Sequence, residues 1–243
     1  MSIKEGTSNQ QIIEEEDKNE EEQESSELAE PVIYNCPCHY CNDDSIVPAT
    51  VGFPMPKFHI EAVMPNFSFS GIESSSYQKQ EKWLVLFSIP NRKHSINASE
   101  IVSFNENFPR FEEINTDLLM ITPESIYSIN SWCITPKTEG GIGNINFPLG
   151  SDISYCIHRR YGFLNDDEIN RGTVIIDPNG IIKHISINDQ NVGRSVEEIL
   201  RLLKAFQFSQ ENGQVCPAMW KEGDTAINPN VKDSKDYFVQ KYE

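Results

Sequence analysis

The chain has 243 residues, and its 37 acidic side chains against 20 basic ones give a formal charge of -17. Hydrophobic residues make up 38% and aromatic residues 10%, with three Trp and thirteen Phe, enough for a sizeable core, so wholesale disorder is excluded. The acidity argues against nucleic-acid or anionic-membrane partners, because affinity for polyphosphate grows with the number of Lys and Arg contacts.

No apolar run approaches the roughly 18 residues that span a bilayer. The start of the chain lacks both a secretory h-region and the Arg-rich composition of a transit peptide. A cytoplasmic protein is the expectation, and in such a compartment its six cysteines should be free, metal-bound or redox-active and not a structural disulfide framework.

Charge is uneven along the chain: the first thirty residues hold eleven acids and two lysines, more than half of the excess. Glu14 to Glu30 is almost free of aliphatic side chains and cannot repay the entropy of folding. Residues 1–47 are therefore an expected acidic, disordered extension. It ends in Cys36-Pro37-Cys38-His39-Tyr40-Cys41, three thiols and an imidazole within six residues. Pro48 to Pro65 should be extended.

Lys82 to Ile89 is a short apolar run suited to a buried strand, and Asn97 to Ile114 then reads as a helix. Asp117 to Thr122 is a second buried strand, and Pro123 opens a helix toward Trp132. Thr173–Ile176 and Ile181–Ile187 flank Asp177-Pro178-Asn179-Gly180, a hairpin turn. Ser195 to Phe208 carries a Ser195/Glu198 capping box with Val196, Ile199, Leu200, Leu203 and Phe206 on one face. This order implies an α/β protein with a central mixed β-sheet flanked by helices.

Several segments carry a pattern beyond periodicity. They are Ala62-Val63-Met64-Pro65, the Trp83-to-Pro90 strand, Ser131-Trp132 through Pro136, Gly140-Gly141-Ile142-Gly143 and Phe147-Pro148-Leu149 with Ser151-Asp152. Arg171-Gly172, Val192 to Val196 and Val215-Cys216-Pro217-Ala218 through Trp220 complete it. In this order and spacing, residues 51–243 resemble a typical 2-Cys peroxiredoxin. The resemblance implies a peroxiredoxin-type thioredoxin fold over residues 48–210 and a C-terminal arm over 211–243. It also implies a homodimer or a higher ring oligomer.

The family reduces hydroperoxides with a peroxidatic cysteine at a helix N-terminus, in the pattern Pro, three residues, Thr, two residues, Cys. The helix dipole and a nearby arginine favour the thiolate. Here the window reads Pro90-Asn91-Arg92-Lys93-His94-Ser95-Ile96-Asn97. Pro90 is kept, His94 stands in the Thr position and Asn97 in the cysteine position. An amide cannot form a thiolate or a sulfenic acid. From the residues alone, Asn97 with Glu100 reads as a helix capping box, and Ser95 or Ser99 with His94 is too sparse a set for nucleophilic catalysis.

Arg171 and Arg194 match arginines of the family's pocket. Two readings stay open for them: ion pairing with Glu100, or an anion site formed with the helix N-terminus and Arg92-Lys93-His94. Cys216 matches the resolving cysteine, and Gly140–Gly143 with Tyr237-Phe238 match the elements that hold the family's C-terminal arm over its active site. Cys133 and Cys156 fall where the pattern asks for no thiol and read as small buried hydrophobes.

Cys36, Cys38, His39 and Cys41 have the residue types of a zinc site but not the paired spacing. No cofactor is expected, with zinc at this cluster as the alternative, beside disulfide exchange or an inert segment. Two functions follow. One is a peroxiredoxin-like protein without peroxidase activity that binds or regulates a partner, such as an active paralogue or thioredoxin. The other is a redox enzyme with residual thiol-dependent peroxide reduction through Cys216 or the N-terminal cysteines.

Overall fold

The computed structural model describes residues 48–91, 96–165, 168–230 and 232–242. The acidic extension, the Cys36–Cys41 cluster and the loop residues Arg92 to Ser95 lie outside them.

Seven strands form one mixed sheet. In chain order they are β1 (His59–Val63), β2 (Phe69–Glu73), β3 (Trp83–Ser88), β4 (Thr116–Thr122), β5 (Leu149–Ser151), β8 (Arg171–Ile176) and β9 (Ile182–Asn188). Their spatial order is β2-β1-β5-β4-β3-β8-β9. Strands β3, β4 and β5 run parallel, and β1, β2, β8 and β9 join antiparallel. The remaining strands, β6 (Leu164–Asn165) and β7 (Glu168–Ile169), make a separate small hairpin. The α/β architecture expected from the sequence is the one observed.

Alternation along the two central strands explains why both read as continuous apolar runs. Val85 and Phe87 of β3 and Leu118 and Met120 of β4 face one core cluster, while Leu84, Leu86, Leu119 and Ile121 face the other. A strand in the middle of a parallel segment must be apolar on both faces, because helices cover both. The first face receives α2 (Ile96–Glu106), α3 (Phe108–Glu113), α4 (Ile126–Ile134) and α6 (Val196–Asn212). The second receives Met55, Phe58, and residues of α1 (Ser74–Lys79) and α5 (Cys156–Arg160).

The single helix expected over 97–114 is divided in two. Pro109 has no amide hydrogen and cannot sit inside a helix, so it occupies the first turn of α3. Asn107 covers the break by donating to the Ser103 carbonyl at 2.9 Å. Helix α4 starts after Pro123, where the Ser125 hydroxyl accepts from the Ser128 amide. At the β8–β9 turn, Asp177 Oδ1 accepts from the amides of Asn179 (3.0 Å) and Ile181 (2.8 Å), and Gly180 takes φ 79°.

Ser195 caps α6 as expected, accepting from the Glu198 amide at 3.3 Å. Only half of the capping box forms, because the Glu198 carboxylate pairs with Arg201 at 2.7 Å. The helix runs past Phe208 to Asn212, where Gly213 at φ 65° ends it.

Beyond α6 the chain makes an isolated bridge between Val215 and Ile227 and ends in α7 (Ser234–Tyr242). Among the described residues no helix is long and apolar enough to cross a membrane.

Candidate functional site at the start of helix α2

Strand β3 leads into Ile89 and Pro90 beyond its C-terminal end, and α2 begins at Ile96. Asn97, in the first turn of that helix, is fully buried. Its Nδ2 donates to the carbonyls of Pro90 (3.2 Å) and Asn91 (2.6 Å), while its buried Oδ1 accepts no hydrogen bond. The sequence-based capping box is therefore overturned. Asn97 is inside the helix with its carboxamide turned back onto the loop, and Glu100 is engaged elsewhere.

Glu100, one turn further, is buried between two arginines. Its Oε2 receives Nη1 of Arg171 and, at 3.2 Å, Nη2 of Arg194. Its Oε1 accepts from the Arg194 amide (2.8 Å) and from Arg194 Nε (3.0 Å). Charge decides this outcome over a cap: a desolvated carboxylate gains far more from a guanidinium than from one backbone amide. The ion-paired reading of both arginines is the observed one.

Arg171 opens β8 and also donates Nε to the Gln190 carbonyl at 2.9 Å. Arg194 reaches the Gly172 carbonyl at 2.8 Å and lies over the stacked rings of Phe87 and Phe104, 5.2 and 5.8 Å from their centroids. Burial lowers the Arg194 pKa and neighbouring Arg171 adds to that, against the pull of Glu100. A guanidinium starts so high that it stays charged. Two buried guanidiniums thus share the Glu100 carboxylate.

The structure brings Pro90, Asn97, Glu100, Arg171 and Arg194 together. His94 lies outside the described residues, as do Cys36, Cys38, His39 and Cys41. Cys216 is not in this network. It follows α6, half-buried, its Sγ donating to the Ala205 carbonyl at 3.4 Å, in a cavity of about 300 Å³ shared with Arg201 and Phe206. Burial pushes its thiol up, with Arg201 pulling the other way.

The elements matched to the C-terminal arm hold local contacts. Trp132 Nε1 donates to the Gly140 carbonyl at 2.8 Å, and a Cβ on Gly141 would stand 1.8 Å from the Thr135 carbonyl oxygen, so the glycines are required where they are. Tyr237 lines a cavity of about 360 Å³ with Pro217 to Trp220.

Cys133 is a buried free thiol in α4, as expected, and burial pushes its pKa up to about 11. Cys156 departs from expectation: it is buried, but it is disulfide-bonded. Two further arrangements lie outside the sequence-based expectations. Ser88 Oγ accepts from the Gly172 amide (2.7 Å) and donates to the Asn170 carbonyl (2.6 Å), pinning β8 beside the cluster. Asp152 and His158 form a buried pair, 2.6 Å from Oδ2 to Nδ1. Only the pairing of Asp152 with a histidine six residues on, across a turn, could have hinted at it.

A mixed sheet covered on both faces, with the start of a helix backed by a buried glutamate and two arginines, defines a thioredoxin-fold protein of the peroxiredoxin type. The AhpC/TSA family model matches residues 51–185 and the C-terminal domain of 1-Cys peroxiredoxin matches residues 205–243. The chain belongs to the AhpC/TSA family of peroxiredoxins.

Peroxiredoxin-1 of Gallus gallus is 41% identical over 192 residues, covering 78% of this chain and 96% of that protein. A mitochondrial thioredoxin-dependent peroxide reductase of Drosophila melanogaster is 43% identical over 189 residues, 76% of this chain and 80% of that one. The crystal structure of reduced 2-Cys peroxiredoxin from Plasmodium vivax superimposes with a TM-score of 0.75 at 36% identity, over 79% of this chain and all of that one.

Proposed function

We propose that this chain is a peroxiredoxin-family protein that has lost thiol peroxidase chemistry and acts as a binding or regulatory partner, an active peroxiredoxin being the partner class. The observation that carries this is Asn97: a fully buried amide, tied to two carbonyls, in the first turn of α2 beside Glu100, Arg171 and Arg194. In this reading Asn97 occupies the peroxidatic position. An amide there cannot form the thiolate or the sulfenic acid that peroxide cleavage needs.

Under this proposal residues 48–210 form the folded domain and 211–243 the arm, in a cytoplasmic homo-oligomer that can admit an active paralogue or meet thioredoxin. Cys216 then resolves a sulfenic acid belonging to the partner.

The test is thioredoxin-coupled peroxide consumption by the full chain, with Asn97→Cys as control. No rate for the natural chain and a thioredoxin-dependent rate for Asn97→Cys support the proposal; turnover by the natural chain overturns it. A second reading, residual peroxide reduction through Cys216 or the N-terminal cysteines, has Arg201 beside Cys216 in its favour. Burial outweighs that cation, and a thiol held protonated is a poor nucleophile. Loss of any residual turnover in Cys216→Ser would favour this second reading.

A further inference from the structure

Helix α1, the β1–β2 turn and the start of β4 enclose a cavity of about 280 Å³ at the end of the sheet away from Asn97. Asn97 follows the C-terminal end of β3, whereas the cavity lies at Asp117, the second residue of β4, which runs parallel to β3. Its walls are apolar: Met64, Pro65, Ile72, Phe108, Phe147 and Pro148, with the Phe108 and Phe147 ring centroids 6.0 Å apart. Such a volume is at the lower end of ligand cavities, roughly 300 Å³; it holds one or two rings and excludes a nucleotide.

Two polar groups of this cavity are left with capacity to spare. Asp117 uses one carboxylate oxygen, which accepts from Lys82 Nζ at 2.8 Å, and among the described residues nothing donates to the other. Tyr77 is buried, 6% exposed, and lines the same cavity. Its hydroxyl has no hydrogen-bond partner among the described residues, and it is not one of the sealed, unpartnered polar atoms, which belong to Asn97, Thr122, Asn130, His158 and Thr173. The hydroxyl therefore opens into the cavity. Burial, with the Asp117 carboxylate adding to it, pushes the Tyr77 pKa up, so this group keeps its proton and remains a donor.

Charge and hydrogen bonding select the occupant. Lys82 already neutralises Asp117, so a cation finds no net charge to meet, and among the described residues no Lys, Arg or His lines the cavity to receive an anion. The walls suit a flat apolar ring, through edge or offset contact with Phe108 and Phe147 and sulfur contact with Met64. One hydroxyl on that ring satisfies both spare groups, donating to the second Asp117 oxygen and accepting from Tyr77. We propose that this cavity binds a small neutral phenol, its ring among Met64, Phe108 and Phe147 and its hydroxyl between Asp117 and Tyr77.

The full chain, isotopically labelled at its methionine methyl groups, is titrated with 4-methylphenol and with its methyl ether, 4-methylanisole, and the Met64 resonance is followed by NMR after assignment with Met64→Leu. The phenol should shift it saturably. The ether keeps the ring and the acceptor but has no donor, and it should bind about tenfold more weakly, as the loss of one hydrogen bond to a charged acceptor implies. Benzoate should produce no shift.

Tyr77→Phe removes a hydroxyl that holds nothing else in the protein, so the variant should fold and bind the phenol several-fold more weakly. Asp117→Ala should abolish the preference for the phenol over its ether; the comparison of the two ligands on the natural chain stands whether or not that variant folds. No saturable shift at Met64, equal affinity of the natural chain for phenol and ether, binding of benzoate, unchanged affinity in Tyr77→Phe, or a response at Met219 of the C-terminal arm in place of Met64 would overturn the proposal.

Discussion

Glu100 and Arg194 are bound to each other through both backbone and side chain: one carboxylate oxygen accepts from the Arg194 amide at 2.8 Å and from its Nε at 3.0 Å. The same carboxylate holds Arg171. A single side chain of α2 thereby fixes the start of β8 and the loop that leads into α6, which is how three segments distant in sequence come to frame the first turn of α2.

Removing that carboxylate should unfold the site before it changes anything else. Glu100→Gln leaves two buried guanidiniums facing a neutral amide, and breaking a buried pair from one side costs about 3–5 kcal/mol. Urea denaturation should show the loss in the midpoint. A change under about 1 kcal/mol would mean that water already screens the cluster.

Asn97→Ala should destabilise the fold by about 1–3 kcal/mol, because the buried Pro90 carbonyl loses its donor and the tie to the Asn91 carbonyl is lost with it. Asn97→Cys, which offers only a weak donor, should fall between the two. Thermal unfolding of the three proteins at one pH gives the order, and equal midpoints would show that the amide is not structural.

The alternative reading, an anion site at the start of α2, predicts stabilisation by small anions. Sulfate or phosphate at constant ionic strength should raise the thermal midpoint of the natural chain, and Arg171→Met should abolish the increment. If chloride does the same, or if Arg171→Met keeps the effect, binding is not at this cluster. Asn97→Cys should also respond less as pH rises through its thiol pKa, since a thiolate there would repel a bound anion.

Alkylation should separate the two free thiols by pH. Burial holds Cys133 protonated up to about 11, above the range of an unfolded cysteine. At pH 9 its folded thiolate fraction is therefore roughly fifty-fold lower than in urea. The shift also sets the sign of the stability effect. Protonated Cys133 is compatible with folding at low pH, and stability falls as pH rises from the unfolded pKa toward about 11. Cys216, raised less and half-exposed, should react first. Equal rates for the two in the folded protein would contradict the burial of Cys133.

Gly172→Ala should be costly for a steric reason. A Cβ there would stand 2.0 Å from the Phe163 ring, inside a core that accommodates extra volume only at about 1–3 kcal/mol. Gly172 also accepts from Arg194 and donates to Ser88, so the strain should reach the cluster. Reduced denaturant stability together with loss of the sulfate response is the expected pair. Loss of neither would show that Phe163 moves aside freely.

Much of the fold was legible because its signals are local. The apolar runs of β3 and β4 have to be buried on both faces, Asp177 to Gly180 writes its own turn, and Ser195 caps α6 with a side chain three residues from its target. Strand β1 lies within the stretch expected to be extended, whereas β2 and β5 carry no such signal, since each is short and β5 is held by neighbours far along the chain. The division between α2 and α3 was available in Pro109 and was overridden by the apolar period around it.

The site divides in the same way. Sequence by itself determined the residue types at positions 90, 97, 100, 171 and 194, the absence of a cysteine at 97, and the uneven spread of acidic charge. Tertiary structure decided what those residues do. Whether Glu100 closes a helix cap or neutralises arginines depends on how close residues 71 and 94 positions away are brought, and on how little water is left between them. Burial makes the ionic partner win, and burial is a property of the packed chain, not of any one segment.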